Sequence, residues 1–255
     1  MFFVYNKDKI ISVVIALSTV LVLFLLAATF KQENTIQTSA GTTKLLPIYS
    51  VDAEENKVAL TINCAWNADD IDSILETLSK NEVKATFFMV GDWVSKFQDA
   101  VKKIYESGNE IANHSESHAH VNNLGYEENV EQIIECSDRI QVITGKPTTL
   151  YRGPYGEYND TVIKAAQNSN HIMIQWNIDS LDYKGITGEQ MWERIEPKLD
   201  KGSIILMHNG TENTALSLDM IINNIKQKGY NLVTVSELIY KENYTIDNNG
   251  VQHRL

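Results

Sequence analysis

Asn109-Glu-Ile-Ala-Asn113, followed at once by His114-Ser-Glu-Ser-His118, is the stretch from which the rest of the chain can be read. The first five residues read as a short strand. Directly after it, His114, His118 and His120 fall within seven residues of a chain that has six histidines in all. Two imidazoles four apart would lie on one face of a helical turn, where they could hold one divalent cation if a third ligand arrives from elsewhere. A polar loop that happens to be rich in histidine is the plainer reading of the same residues. His120 falls outside the spacing and reads as a surface residue.

Working outward, the chain from residue 57 alternates short apolar runs with amphipathic stretches, as β and α units of a parallel sheet or barrel do. Strands are expected at 58–62, 84–90, 110–113, 148–152, 171–176, 203–207 and 231–235. Helical periodicity falls between them at 71–79, 94–107, 127–144, 160–167, 188–199 and 216–228. Each polar cluster follows a strand, and in (β/α) barrels the active site is assembled from those loops.

Four clusters join the histidines at that mouth. Asn63-Cys-Ala-Trp-Asn-Ala-Asp-Asp70 ends the first strand, and either Asp69 or Asp70 could be a helix N-cap or the third metal ligand. Arg152-Gly-Pro-Tyr-Gly156 leaves another strand through a turn whose backbone N–H groups could meet an oxyanion, or is an ordinary Pro-Gly turn. Trp176 to Tyr183 carries Asp179 and Asp182, which could pair with Arg152. The last strand ends at His208, a structural residue if it stands alone and a general-acid candidate if a metal, an arginine and carboxylates surround it.

Residues 10–30 carry no charged side chain, enough to cross a bilayer core of about 30 Å as a helix. Lys7 and Lys9 precede the run, which places residues 1–9 in the cytoplasm and the bulk of the chain outside, as a single-pass protein of the cell membrane. The run exceeds a signal-peptide core of about 7 to 15 residues, so an anchor is preferred, although Ala27-Ala28 would permit cleavage. Residues 31–56 read as a linker, 57–241 as the folded domain and 242–255 as a C-terminal tail. A net charge of -11 argues against nucleic acid as a partner. Cys64 and Cys136 form neither a CxxC motif nor a disulfide framework.

Taken in order, these clusters resemble the polysaccharide deacetylase family, the NodB-homology or carbohydrate esterase 4 domain, over about residues 57–240. Five segments carry the likeness: Thr61 to Asp70, His114 to His118, Arg152 to Gly156, Asp179 to Tyr183, and Leu206 to His208. Lys84-Ala-Thr-Phe-Phe88 looks like the family as well. The resemblance implies an α/β fold, a distorted (β/α)7-type barrel behind the N-terminal transmembrane helix. It implies one divalent metal, zinc or else cobalt, on His114 and His118. It also implies that Arg152 orients the catalytic carboxylate, that the Pro154-Tyr155 peptide stabilises an oxyanion, that Asp182 supports Arg152 or the fifth-motif histidine, and that His208 protonates the leaving amine. Tyr183 stands where the family usually has tryptophan, and Leu206 would receive the acetyl methyl.

The first segment departs from the family. Where the usual Thr-Phe-Asp-Asp-Gly has its base and its metal-binding aspartate, this chain has Asn63 and Cys64. A carboxamide cannot take a proton from water and a thiol is not the hard ligand required. A membrane-anchored, sporulation-type branch has a similar Ala-Trp stretch followed by an acidic residue, a place filled here by Asp69 or Asp70. The expected activity is therefore N-deacetylation of amino sugars in an extracytoplasmic glycan, peptidoglycan above all. The alternatives are a catalytically silent glycan-binding domain of the same fold, or another hydrolase on that scaffold.

Overall fold

The structure is a computed structural model that describes residues 44–255. The expected cytoplasmic tail, transmembrane helix and the first half of the linker lie outside the described residues. Among these, no helix is long and apolar enough to cross a membrane.

Eight parallel strands form a curled sheet, a half-barrel with helices packed outside. In chain order they include β2 (Lys57–Cys64), β3 (Thr86–Met89), β4 (Glu110–Asn113), β5 (Leu150–Tyr151), β6 (Ile172–Met173), β7 (Ile178–Asp179), β8 (Ile204–His208) and β9 (Asn231–Val233), after a short β1 (Ser50–Val51). Their order across the sheet is β6-β5-β4-β3-β2-β8-β7, with β9 pairing the start of β2. The barrel expected from the sequence is thus open, since β6 and β7 do not pair with each other. Segment 47–51 runs across that side instead: Ile48 bridges Ile174, and Ser50 bridges Ser203.

Strand alternation divides the core into two layers. Val58, Leu60, Ile62 and Cys64 of β2 face the helices, together with Phe87 and Met89 of β3 and Ile205 and Met207 of β8. Ala59, Phe88 and Ile204 face the interior of the curl with Ala112, Leu150 and Ile174. Thr61 and Asn63 share the parity of Ala59, and Leu206 and His208 share that of Ile204, so the polar residues rise from the interior layer at one end of the sheet. Burial on both faces explains why these strands read as apolar runs with little alternation.

Two boundaries expected from the sequence are corrected. Ile48, Val51 and Ala53 are core residues rather than linker, because their apolar side chains close the half-barrel. Residues 242–255 are not a free tail: β10 (Tyr244–Ile246) and β11 (Val251–Arg254) pair antiparallel, and β11 pairs β1. Buried Gln252 fastens this small sheet through two hydrogen bonds with the backbone of Tyr240.

Candidate active site

At the carboxyl ends of the strands lies a pocket of about 420 Å³. Asn63, Trp66, His114, His118, Tyr155 and His208 line it, with Trp176, Asp179, Tyr183 and Leu206. The loops around it hold four non-glycine residues at positive φ: Ser115 at 73°, His118 at 56°, Tyr155 at 59° and Leu181 at 57°. Left-handed backbone at non-glycine residues is strained and persists where surrounding contacts dictate it, commonly at functional sites.

His114 is fully enclosed. Its Nδ1 lies 2.7 Å from the Arg152 carbonyl oxygen, which can only accept, so Nδ1 carries the proton and Nε2 keeps its lone pair. Burial, then the neighbouring His118 and the Arg152 and His208 charges, hold His114 well below the ordinary imidazole pKa. His118 is also lowered, chiefly by burial. The two rings are 5.1 Å apart, edge to face. The expected helical turn is absent: residues 114–118 form a loop, and the positive φ values at Ser115 and His118 bring the imidazoles together.

Arg152 is fully buried and lies over the Phe88 ring at 3.9 Å. Its Nη1 donates to Thr61 Oγ1 at 2.9 Å and to Asn63 Oδ1 at 2.8 Å, and its Nη2 donates to the Gln175 carbonyl at 3.0 Å. Burial lowers its pKa to about 9, which leaves it cationic at neutral pH. The expected pairing of Arg152 with Asp179 or Asp182 is not formed. Asp182 turns to the other wall, where its Oδ1 meets His208 Nδ1 at 2.9 Å and its Oδ2 accepts from the His208 backbone N–H and from Thr214 Oγ1. Trp66 stacks on the His208 ring at 5.3 Å, and Tyr183 meets it edge-on at 5.4 Å.

Asp69 and Asp70 are corrected as metal ligands. Neither lines the pocket, and among the described residues no group of three His, Cys, Asp or Glu side chains could hold a metal ion. Asp70 stands at the N-cap of α1 (Ile71–Lys80) yet makes no capping bond. Its carboxylate accepts instead from Gly210 N–H at 2.7 Å and from Asn209 Nδ2 at 3.3 Å, tying the loop after β2 to the loop after β8. Asp69 is exposed. Cys64 follows strand parity into the helix-side core, where burial pushes its thiol pKa well up. A catalytic zinc site takes three protein ligands, and here the two imidazoles face a carboxamide, with no third His, Cys, Asp or Glu among the described residues completing the set. The residues present do not fit the metal that the resemblance implies.

Three aromatic residues were not assigned roles by the sequence reading. Trp66 and Trp176 wall the pocket, and His120 stacks on Tyr155 at 4.1 Å while its Nδ1 pairs with Glu157 at 2.7 Å. Trp66 sits inside a motif segment and Trp176 opens the cluster that runs to Tyr183, so their placement just after strands was a usable signal. Nothing in the spacing of His120 marks its stacking partner.

A family model described as polysaccharide deacetylase matches residues 50–174. The uncharacterized protein YlxY of Bacillus subtilis is 35% identical over 193 residues, covering 76% of this chain and 60% of that protein. A peptidoglycan-N-acetylglucosamine deacetylase of Bacillus cereus is 31% identical over 196 residues, covering 74% of this chain and 71% of that one. Among solved structures, wild-type BA3943, described as a CE4 family pseudoenzyme from Bacillus anthracis, superposes with a TM-score of 0.74 at 32% identity, covering 82% of this chain and 73% of that one. A mutant of BA3943 is described as having restored enzymatic activity.

Proposed function

The chain belongs to the polysaccharide deacetylase family, and we propose that within it this protein is a non-hydrolytic receptor for N-acetylated glycan, peptidoglycan in particular, tethered to the outer face of the cell membrane by residues 10–30. Deacetylases of peptidoglycan among its relatives supply the general function and the glycan class. The membrane-anchored branch and the extracytoplasmic location rest on the charge-free segment and its preceding lysines.

One observation carries the reading. At the end of β2, in the position of the family's base, stands Asn63, held by Arg152 Nη1 at 2.8 Å. A carboxamide so held cannot accept a proton from an attacking water. What remains suits binding: half-exposed Trp66, Tyr155 and Tyr183 offer flat apolar faces around a polar floor, as sugar-sized ligand sites commonly do.

A second reading, a slow hydrolase, draws support from the Asp182–His208 pair. The carboxylate orients the imidazole through Nδ1, leaving Nε2 free to protonate a leaving amine, and the family resemblance gives the Tyr155 backbone N–H the role of oxyanion donor. Both readings are tested together by measuring sedimentation of the full chain with purified peptidoglycan and acetate release from tetra-N-acetylchitotetraose with zinc or cobalt supplied. Binding without acetate supports the receptor, acetate supports the hydrolase, and neither binding nor acetate removes both. Protease treatment of intact cells, which should digest the domain but spare a cytoplasmic control, tests the location.

A further inference from the structure

The Arg152–Asn63–His114 chain has a fixed polarity. The guanidinium donates, so Oδ1 of Asn63 must face it at 2.8 Å, and the amide NH2 is thereby turned to His114 Nε2 at 3.2 Å. Because Nδ1 of His114 is committed to the Arg152 carbonyl, Nε2 is the one lone pair this ring could offer a cation, and the Asn63 N–H caps it. The second Asn63 N–H has no acceptor within the protein among the described residues, while Asn63 itself lines the pocket beside Leu206 and Trp66.

We propose that the pocket recognises an acetamido group without a metal: one Asn63 N–H closes His114 to cations, and the other donates to the carbonyl oxygen of an intact N-acetyl group whose methyl lies against Leu206. The idea rests on the receptor reading and specifies how that receptor works. It explains why a buried arginine is retained with no carboxylate partner: among the described residues Arg152 forms no ion pair, and its work is to orient a neutral amide. A carboxylate at 63 would reverse the polarity, presenting an acceptor to the His114 lone pair and removing both N–H donors from the pocket.

The test uses the full chain, purified in detergent with and without EDTA treatment. The zinc content is measured by elemental analysis, and the binding of tetra-N-acetylchitotetraose and of its fully deacetylated counterpart by calorimetry. Native protein should hold far less than one zinc per chain and bind the acetylated tetramer equally well in EDTA and in zinc. The deacetylated tetramer should bind about tenfold or more weakly. Asn63→Ala should weaken binding about three- to tenfold, the loss of one neutral hydrogen bond. Asn63→Asp, which has no N–H to donate, should weaken binding of the acetylated tetramer at least as much as Asn63→Ala. One zinc per native chain, or binding abolished by EDTA, overturns the metal-free mode while leaving a glycan receptor standing. No binding under either condition overturns the receptor as well. Thermal unfolding of both variants shows that the site, and not the fold, has changed.

Discussion

Asn63→Asp is the substitution whose outcome follows most directly from the geometry. Arg152 Nη1 lies 2.8 Å from Oδ1 of Asn63, so a carboxylate at 63 would sit where the amide sits, with its hydrogen bond strengthened by opposite charge. Its second oxygen would replace Nδ2, 3.2 Å from His114 Nε2, at the floor of the pocket that His208 also lines. That oxygen can take a proton from water, and general-base help of this kind is worth about 10²- to 10⁴-fold, or about 3 to 5 kcal/mol off the barrier. The assay is acetate release from tetra-N-acetylchitotetraose with zinc or cobalt supplied, comparing parent and variant at equal concentration. The expected result is acetate from the variant at least about 100-fold above the parent. A folded variant that binds the glycan and releases no more acetate than the parent would refute the argument that the residue at 63 silences the site.

Other outcomes follow from single contacts. Arg152→Met should destabilise the domain by about 3 kcal/mol or more in urea unfolding, because the Gln175 carbonyl and Thr61 lose their buried donor; unchanged stability would contradict the role given to the guanidinium. Gly156→Ala should lower the melting temperature and weaken glycan binding, since Gly156 has φ +71° and an added Cβ would lie 2.9 Å from Trp176 Cη2. Stability should fall with acid. Burial lowers the folded-state pKa of both His114 and His171, so the unfolded chain binds protons that the folded chain refuses once pH drops below about 6.5. Stability is fully present above that value and declines by up to about 1.4 kcal/mol per pH unit for each histidine until its folded pKa is reached. Urea unfolding at pH 7.5, 6.5 and 5.5 checks this, and His171→Asn should flatten the slope.

Much of the architecture was legible because strands buried on both faces must be apolar on both parities, and because the helices between them keep one apolar stripe. The strand at 58–62 and the one at 203–207 were read within two residues of β2 and β8. Strand parity also carried more than was taken from it. Counting by twos from Ala59 puts Asn63 in the interior with Thr61 and sends Cys64 outward with Ile62, which removes the thiol from the site without any structure. The Asp69-Asp70 pair could not be placed the same way. Five residues of loop separate Asp70 from the end of β2, and its direction was settled by a contact 140 residues away, the Gly210 N–H. The histidine spacing pointed to a helical turn, whereas two residues in left-handed backbone bring the rings together. Asp182 was rightly associated with His208, yet its expected partnership with Arg152 depended on which wall of the pocket each strand end faces. The closing segment 47–51 and the terminal hairpin were missed because short polar-flanked strands carry little periodicity, and only their partners make them structure.

The central claim, that an intact N-acetyl group is held and not hydrolysed, is tested most directly by the fate of the bound sugar. The full chain would be incubated for many hours with tetra-N-acetylchitotetraose and zinc, and the oligosaccharide recovered with the protein would be analysed by mass spectrometry. The account predicts that every recovered chain retains all of its acetyl groups. Recovered sugar lacking one or more acetyl groups, at levels absent from a His208→Ala control, would contradict it.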